Sequence, residues 1–174
     1  GMLRVPLKTP FKTALRTVDT VVDVVVQVHT DTGHIGWGEA PATAVITGDT
    51  HGSIIEAITT CIAPRLIGRQ VADLNRNCTL VQSSMIHNTS AKAAVEIALY
   101  DLWAQLHNAP LYQMLGGGEP VITSDITISV DHIDKMVADS LSALERGFES
   151  LKIKVGKDIG LDIERVKAIH AAVD

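Results

Sequence analysis

From Ile122 onward, segments with the two-residue periodicity of strands alternate with segments that have the spacing of helices. Ile122–Val130 predicts a strand, and residues from Asp131 or His132 to Arg146 predict a helix stopped by Gly147. Leu151–Val155 predicts a second strand and Asp158–Val173 a second helix. Strand, helix, strand and helix at this spacing leave one economical arrangement: parallel strands joined by right-handed crossovers. Each strand also carries one polar face. Asp125, Thr127 and Ser129 alternate with Ile126, Ile128 and Val130, and Lys152 and Lys154 alternate with Leu151, Ile153 and Val155. Parallel strands covered on both sides are usually apolar throughout. A polar face on two consecutive strands therefore points to a barrel interior or a site.

The lysine pair sharpens this. Side chains along a strand alternate between faces, so Lys152 and Lys154 project to the same side. In an enclosed space, burial and mutual repulsion both oppose the charged form of lysine and can yield a usable base. The same tripeptide also describes an amphipathic edge strand with solvated lysines, a common guard against aggregation. Its neighbours have to decide between the two.

Upstream, residues 3–40 read as antiparallel strands. The β-branched run Val21–Thr30, the turn Asp31-Thr32-Gly33 and the run from His34 to Ala40 give a hairpin pattern. Between Pro10 and Thr20 lies a polar connection bearing Lys12, Arg16 and Asp19, and Ala40–Thr50 is a loop rich in Thr and Gly. Ser53–Leu66 repeats Ile54, Ile55, Ile58 and Ile62 at helical spacing, with Gly68 beyond it as a stop. Further helices are expected from Ala72 to about Met85 and over Ala91–Gln105. Ser90 is the expected cap of the latter, whose many alanines predict close packing. Pro110 opens a short helical turn that ends at Gly116-Gly117-Gly118, where the strand–helix alternation begins.

With 46% apolar and 20% charged residues, the 174-residue chain has the composition of a globular protein. Its net charge of −5 gives no basic footprint for nucleic acid. No apolar stretch approaches the roughly 20 residues of a membrane span. Cys61 and Cys78 lie in helical patterns without metal-ligand spacing, which fits a reduced, cytoplasmic setting. The seven histidines are scattered, without zinc-site pairing. Glu96 and Asp101 fall on the alanine-rich helix, where hydrogen bonding to neighbouring backbone is their expected role. No Walker-type loop or dinucleotide fingerprint occurs.

Several motifs in order resemble one family. They are Pro10-Phe11-Lys12-Thr13-Ala14-Leu15-Arg16, Gly36-Trp37-Gly38-Glu39-Ala40-Pro41, Ile46-Thr47-Gly48-Asp49, the run from Ala91 to Asp101, the run from Pro110 to Gly117, and the Lys-x-Lys strand. Together they resemble the enolase superfamily, in its muconate-lactonizing subgroup, and within that the L-Ala-D/L-Glu dipeptide epimerases. The resemblance implies an α+β N-terminal capping domain, residues 1–119. The first two βα units of a (β/α) barrel, residues 120–174, would follow, with a site at the C-terminal ends of the strands.

The resemblance also implies roles. Lys154 would remove or return the proton on the carbon beside a carboxylate, and Lys152 would support the oxygens on which negative charge develops. Thr127 would contact substrate, and Arg16 would pair in bidentate fashion with a substrate side-chain carboxylate. Mg2+ would stabilise the enediolate, held by residues beyond 174. Lactonization or dehydration, as in muconate cycloisomerases and o-succinylbenzoate synthases, uses the same strand, and a non-catalytic half-barrel module is a third reading. Arg16 and the Ile46–Asp49 loop favour the dipeptide epimerase. A full barrel needs eight such units. The chain is thus expected to be an inactive fragment by itself, exposing strand edges and apolar surface, and to self-associate or to repack residues 120–174.

Overall fold

The structure, a computed structural model, describes residues 1–119, 121–156 and 158–173. Pro120, Lys157 and Asp174 lie outside the described residues, and with them the expected domain start at residue 120 and the final position of the sequence. Two compact units emerge. One comprises Gly1–Val5 and Val21–Glu119; the other comprises Pro6–Thr20 and the described residues of 120–174.

Strands β1 (Met2–Lys12), β2 (Thr17–His29) and β3 (Ile35–Pro41) form one sheet in that order. Pro6 and Pro10 cannot donate to a ladder, which suits β1 to its edge position. The long polar connection expected between Pro10 and Thr20 is shorter in fact, because both strands extend into it and leave only residues 13–16 as a turn. In the first unit, β2 and β3 are antiparallel, with Val24 opposite Ala40, Val26 opposite Gly38 and Val28 opposite Gly36. That register gathers small residues of β3 and valines of β2 on one face, and Val24 and Ala40 are buried there. Diagonally across these strands, hydrogen bonding from Asp23, aided by burial and by repulsion between the two carboxyls, raises the Glu39 carboxyl above its ordinary range.

Helix α4 (Thr89–Leu106) packs on this face. A Cβ placed on Gly38 would lie 1.8 Å from the Ala94 carbonyl oxygen, and one on Gly36 would lie 2.1 Å from that of Ala98. The two glycines thus admit the helix backbone, and Ala91, Ala94 and Ala98 keep its approach close. The expected cap is corrected. Asn88, in the left-handed region at φ 47°, caps α4 by accepting from Ala91 N–H, while the Ser90 hydroxyl donates to Asp49 at 2.6 Å. Asp101 behaves as expected, accepting from the Trp37 N–H at 2.9 Å. Glu96 instead accepts from the Gln82 side-chain amide.

The single helix expected over Ser53–Leu66 is α1 (His51–Glu56), a π-helical stretch (Ala57–Ile62) and α2 (Ala63–Leu66). Thr50 and Ser53 form a capping box at its start. Pro64 lacks a donor and crowds the carbonyl four residues back, which the wider π turn accommodates. Thr59 and Thr60 hydroxyls donate to the carbonyls of Ile55 and Glu56 in the same stretch. Helices α3 (Leu74–Gln82) and α5 (Leu111–Met114) complete the unit. Its core joins Val24, Val26, Ile54, Ile62, Val81, Val95 and Leu99.

In the second unit, β4 (Ile126–Ile128), α6 (Ile133–Glu145), β5 (Leu151–Ile153) and α7 (Ile159–Val173) follow in the expected order, and β4 and β5 are parallel. Both strands are shorter than expected. The partner strand begins only at Leu151, so residues 121–125 have nothing to pair with, and Val121 and Ile122 stay exposed. Ile128, Met136, Ala143 and Ile169 are buried together, with Ile126, Leu151, Ile153 and Phe148 against them. Gly147, at φ 87°, closes α6: its N–H donates to Leu144 and that of Phe148 to Ala143, the paired bonds of a Schellman stop.

Candidate functional site

Burying Ile126, Ile128, Leu151 and Ile153 on the helix side fixes which face the intervening residues occupy. Thr127 pairs directly with Lys152 in the parallel register. The Lys154 N–H donates to the Ile128 carbonyl at 3.1 Å, so the ladder continues past the strand's formal end and Lys154 follows Lys152 on the polar face. Ser129 follows Thr127 in the same way. The structure therefore brings Thr127, Lys152 and Lys154 to one side of one small sheet. The enclosure expected of the lysines is not formed by the described residues: Lys152 is exposed and Lys154 half-buried. Among the described residues only β4 and β5 make up this sheet, and water reaches its polar face.

Arg16 arrives from the hairpin tip, which belongs to this same unit. Residues 13–16 form a tight turn closed by a Thr13 N–H to Arg16 carbonyl bond of 2.9 Å. The Thr13 hydroxyl accepts from the N–H groups of Leu15 and Arg16 at 3.3 and 3.2 Å. The turn lies beside the exit of β5: a Cβ placed on Gly156 would stand 3.5 Å from that of Ala14. Among the described residues, Arg16, Lys152 and Lys154 have no ion-pair partner. Three uncompensated cations near one pair of strand ends favour an anionic ligand.

Residues that sequence reasoning missed fasten this arrangement. Lys12 N–H donates to the Ser129 hydroxyl at 3.3 Å, Val130 N–H donates to the Lys12 carbonyl at 3.4 Å, and Lys12 Nζ lies 2.5 Å from Asp131 Oδ2. Hydrogen bonding from Lys12, then from the His132 N–H, holds the Asp131 carboxyl below its usual range against a smaller opposing effect of burial. Arg165 Nε donates to the Asp131 carbonyl at 3.0 Å, and its Nη1 is 2.8 Å from Asp162 Oδ1. Asp162 Oδ2 in turn accepts from Gly156 N–H at 2.7 Å. Asp162 and Arg165 stand three apart on α7, a spacing that predicts their pairing. Nothing local signals Lys12 with Asp131, 119 residues apart.

No cluster of three or more His, Cys, Asp or Glu among the described residues could hold a metal ion. Asp131, just past β4, and Asp162, in the first turn of α7, are committed to Lys12 and Arg165. The described residues thus do not fit a magnesium site, and their chemistry is that of cations and hydroxyls.

Residues 2–116 match the mandelate racemase / muconate lactonizing enzyme N-terminal domain. The L-Ala-D/L-Glu epimerase of Bacillus subtilis (strain 168) is 49% identical over 144 residues, covering 82% of this chain and 39% of that protein. The Clostridium acetobutylicum L-Ala-D/L-Glu epimerase is 47% identical over 173 residues, 99% of this chain and 48% of that one. A substrate-liganded structure of the B. subtilis enzyme superposes with a TM-score of 0.97 at 48% identity, over 100% of this chain and 49% of the other. A dipeptide epimerase from Enterococcus faecalis V583, crystallised with Mg and L-Leu-L-Tyr, superposes with a TM-score of 0.95 at 34% identity, over 100% and 49%. The chain spans about half the length of the relatives it matches.

Proposed function

The chain belongs to the mandelate racemase / muconate lactonizing enzyme family, and from that membership we propose that it is the N-terminal part of a magnesium-dependent dipeptide epimerase acting on L-Ala-D/L-Glu. The observation that supports this most is the direct pairing of Thr127 with Lys152 on the face that also carries Lys154. In this reading, Lys154 takes or returns the proton on the α-carbon beside a carboxylate. Lys152 and Thr127 face the oxygens of that carboxylate, where charge grows as the proton leaves. Arg16 receives a second, side-chain carboxylate, for which a planar guanidinium offers two parallel donors. Identities of 47 and 49% to enzymes that act on L-Ala-D/L-Glu support this substrate class.

Magnesium enters the proposal through relatives such as the E. faecalis enzyme; its ligands would lie outside this chain. A domain division at 119/120, a cytoplasmic setting for the half-buried thiols of Cys61 and Cys78 and self-association of the isolated chain complete the reading.

The test uses residues 1–174 alone and a chimera in which they replace the matching half of the B. subtilis epimerase. With L-Ala-L-Glu and magnesium in D2O, the chain alone is expected to exchange no α-proton. The chimera should exchange it, and Lys154→Ala should lower its rate at least ~10²-fold. A folded chimera that exchanges equally well without Lys154 would sink the assignment.

A further inference from the structure

We propose that Lys12 and Asp131 are positioning residues: their ion pair fastens the 13–16 turn, and with it Arg16, to the strand ends that carry Thr127, Lys152 and Lys154. The turn is stiff in itself, because Thr13 holds Arg16 through one backbone bond and through its hydroxyl, which donates to the Arg16 carbonyl and accepts from the Arg16 N–H. What it lacks is a strong tie to the sheet. Its other two links there, from Lys12 N–H to the Ser129 hydroxyl at 3.3 Å and from Val130 N–H to the Lys12 carbonyl at 3.4 Å, are long for hydrogen bonds. The charged contact is Lys12 to Asp131, between side chains 35% and 24% exposed.

Asp131 is a fixed post for that contact. Arg165 holds its carbonyl and the His132 N–H holds its second carboxylate oxygen. Arg165 is held in turn by Asp162, which also grips Gly156 at the exit of β5. Turn, β4 and β5 are thus joined through one chain of charged groups, and Lys12 is the single member contributed by the hairpin. Removing its partner frees the turn without touching any residue of the proposed site.

The charged groups facing Asp131 are Lys12 from β1, the neighbouring His132, and Arg165 from α7. Lys12 and His132 favour its ionised form, in line with its lowered carboxyl range. The tie therefore persists at neutral pH and is lost only as pH falls through the depressed folded value of the Asp131 carboxyl. The anchoring stands on geometry; its consequence for substrate rests on the role proposed above for Arg16.

A nitroxide at Leu15→Cys, in a chain whose two native cysteines are alanine, reads the turn directly, since Leu15 is 78% exposed. The parent chain should show a slow component at pH 7 that fades in acid before the circular dichroism changes. Asp131→Asn and Lys12→Met should lose most of that component at pH 7, and Lys12→Arg should retain it. Folded variants with an unchanged spectrum would overturn the proposal. In the chimera, Asp131→Asn should raise KM for L-Ala-L-Glu roughly five- to tenfold with kcat within about twofold. A dipeptide without a side-chain carboxylate should be unaffected. A mobile turn with an unchanged KM leaves the anchor standing and removes Arg16 from the substrate site.

Discussion

Gly38 shows how much one missing carbon decides. Its side-chain position is already occupied by the Ala94 carbonyl oxygen, at 1.8 Å from where a Cβ would be. Gly38→Ala must therefore push α4 off the sheet or bend β3. The expected outcome is a loss of about 3 kcal/mol or more in urea unfolding, at the upper end for overpacked sites. Gly52→Ala, where a Cβ meets nothing within 4 Å, serves as the control and should change little. The Gly-Trp-Gly-Glu run was legible as part of a motif, but its physical reason was not. Close approach of a helix backbone is a property of two segments some 60 residues apart, and neither announces the other. The same holds for Lys12 and Asp131, whereas Lys152 and Lys154 were legible because strand periodicity alone puts them on one side.

Among elements, the order of strands and helices was readable throughout, because apolar spacing records which face is buried. Boundaries were not. Ile122–Asp125 has strand-like composition but finds no neighbour to pair with, and a strand exists only where a ladder does. The start of α4 was displaced by two residues for a different reason. Ser90 has the chemistry of a cap, yet its hydroxyl is committed to Asp49, while Asn88 tolerates the left-handed backbone that the entry requires. Asn88 also donates to the Ser53 carbonyl at 3.0 Å, linking α1 to α4. Asn88→Ala should cost about 2 kcal/mol in thermal or denaturant unfolding, combining lost cap and positive φ. Asn88→Gly, which relieves the backbone term, should cost less, and an equal loss in both variants would contradict this account.

For the molecule as a whole, exposed apolar surface on the second unit is the telling feature. Ile159, Ile163 and Val166 recur along one side of α7 at 82%, 51% and 45% exposure, and Val121 and Ile122 stand at 81% and 89%. A row of aliphatic side chains beside a two-stranded sheet with open edges is a surface that seeks cover. Light scattering on residues 1–174 should give a mass above that of one 18.6 kDa chain, rising with concentration. Ile159→Lys with Ile163→Lys should return it to monomer. A monomer at all concentrations before substitution would refute self-association. That residues 6–20 group with the second unit was not legible in the sequence, since a hairpin's own periodicity does not say which body its tip joins.

That borrowed tip has a consequence for how the chain acquires its structure. Lys12 leaves the ribosome more than a hundred residues before Asp131, and β5 and α7 come later still. The second unit therefore cannot be completed in passing as its own segment is synthesised, and the peptide 120–174 made separately would lack a piece of itself. The loop closed by Lys12 and Asp131 is a long-range one, whose entropy has to be lost late. Its closure is expected to be slower than formation of the first unit's helices and β2–β3 hairpin, an order that pulsed hydrogen exchange would read.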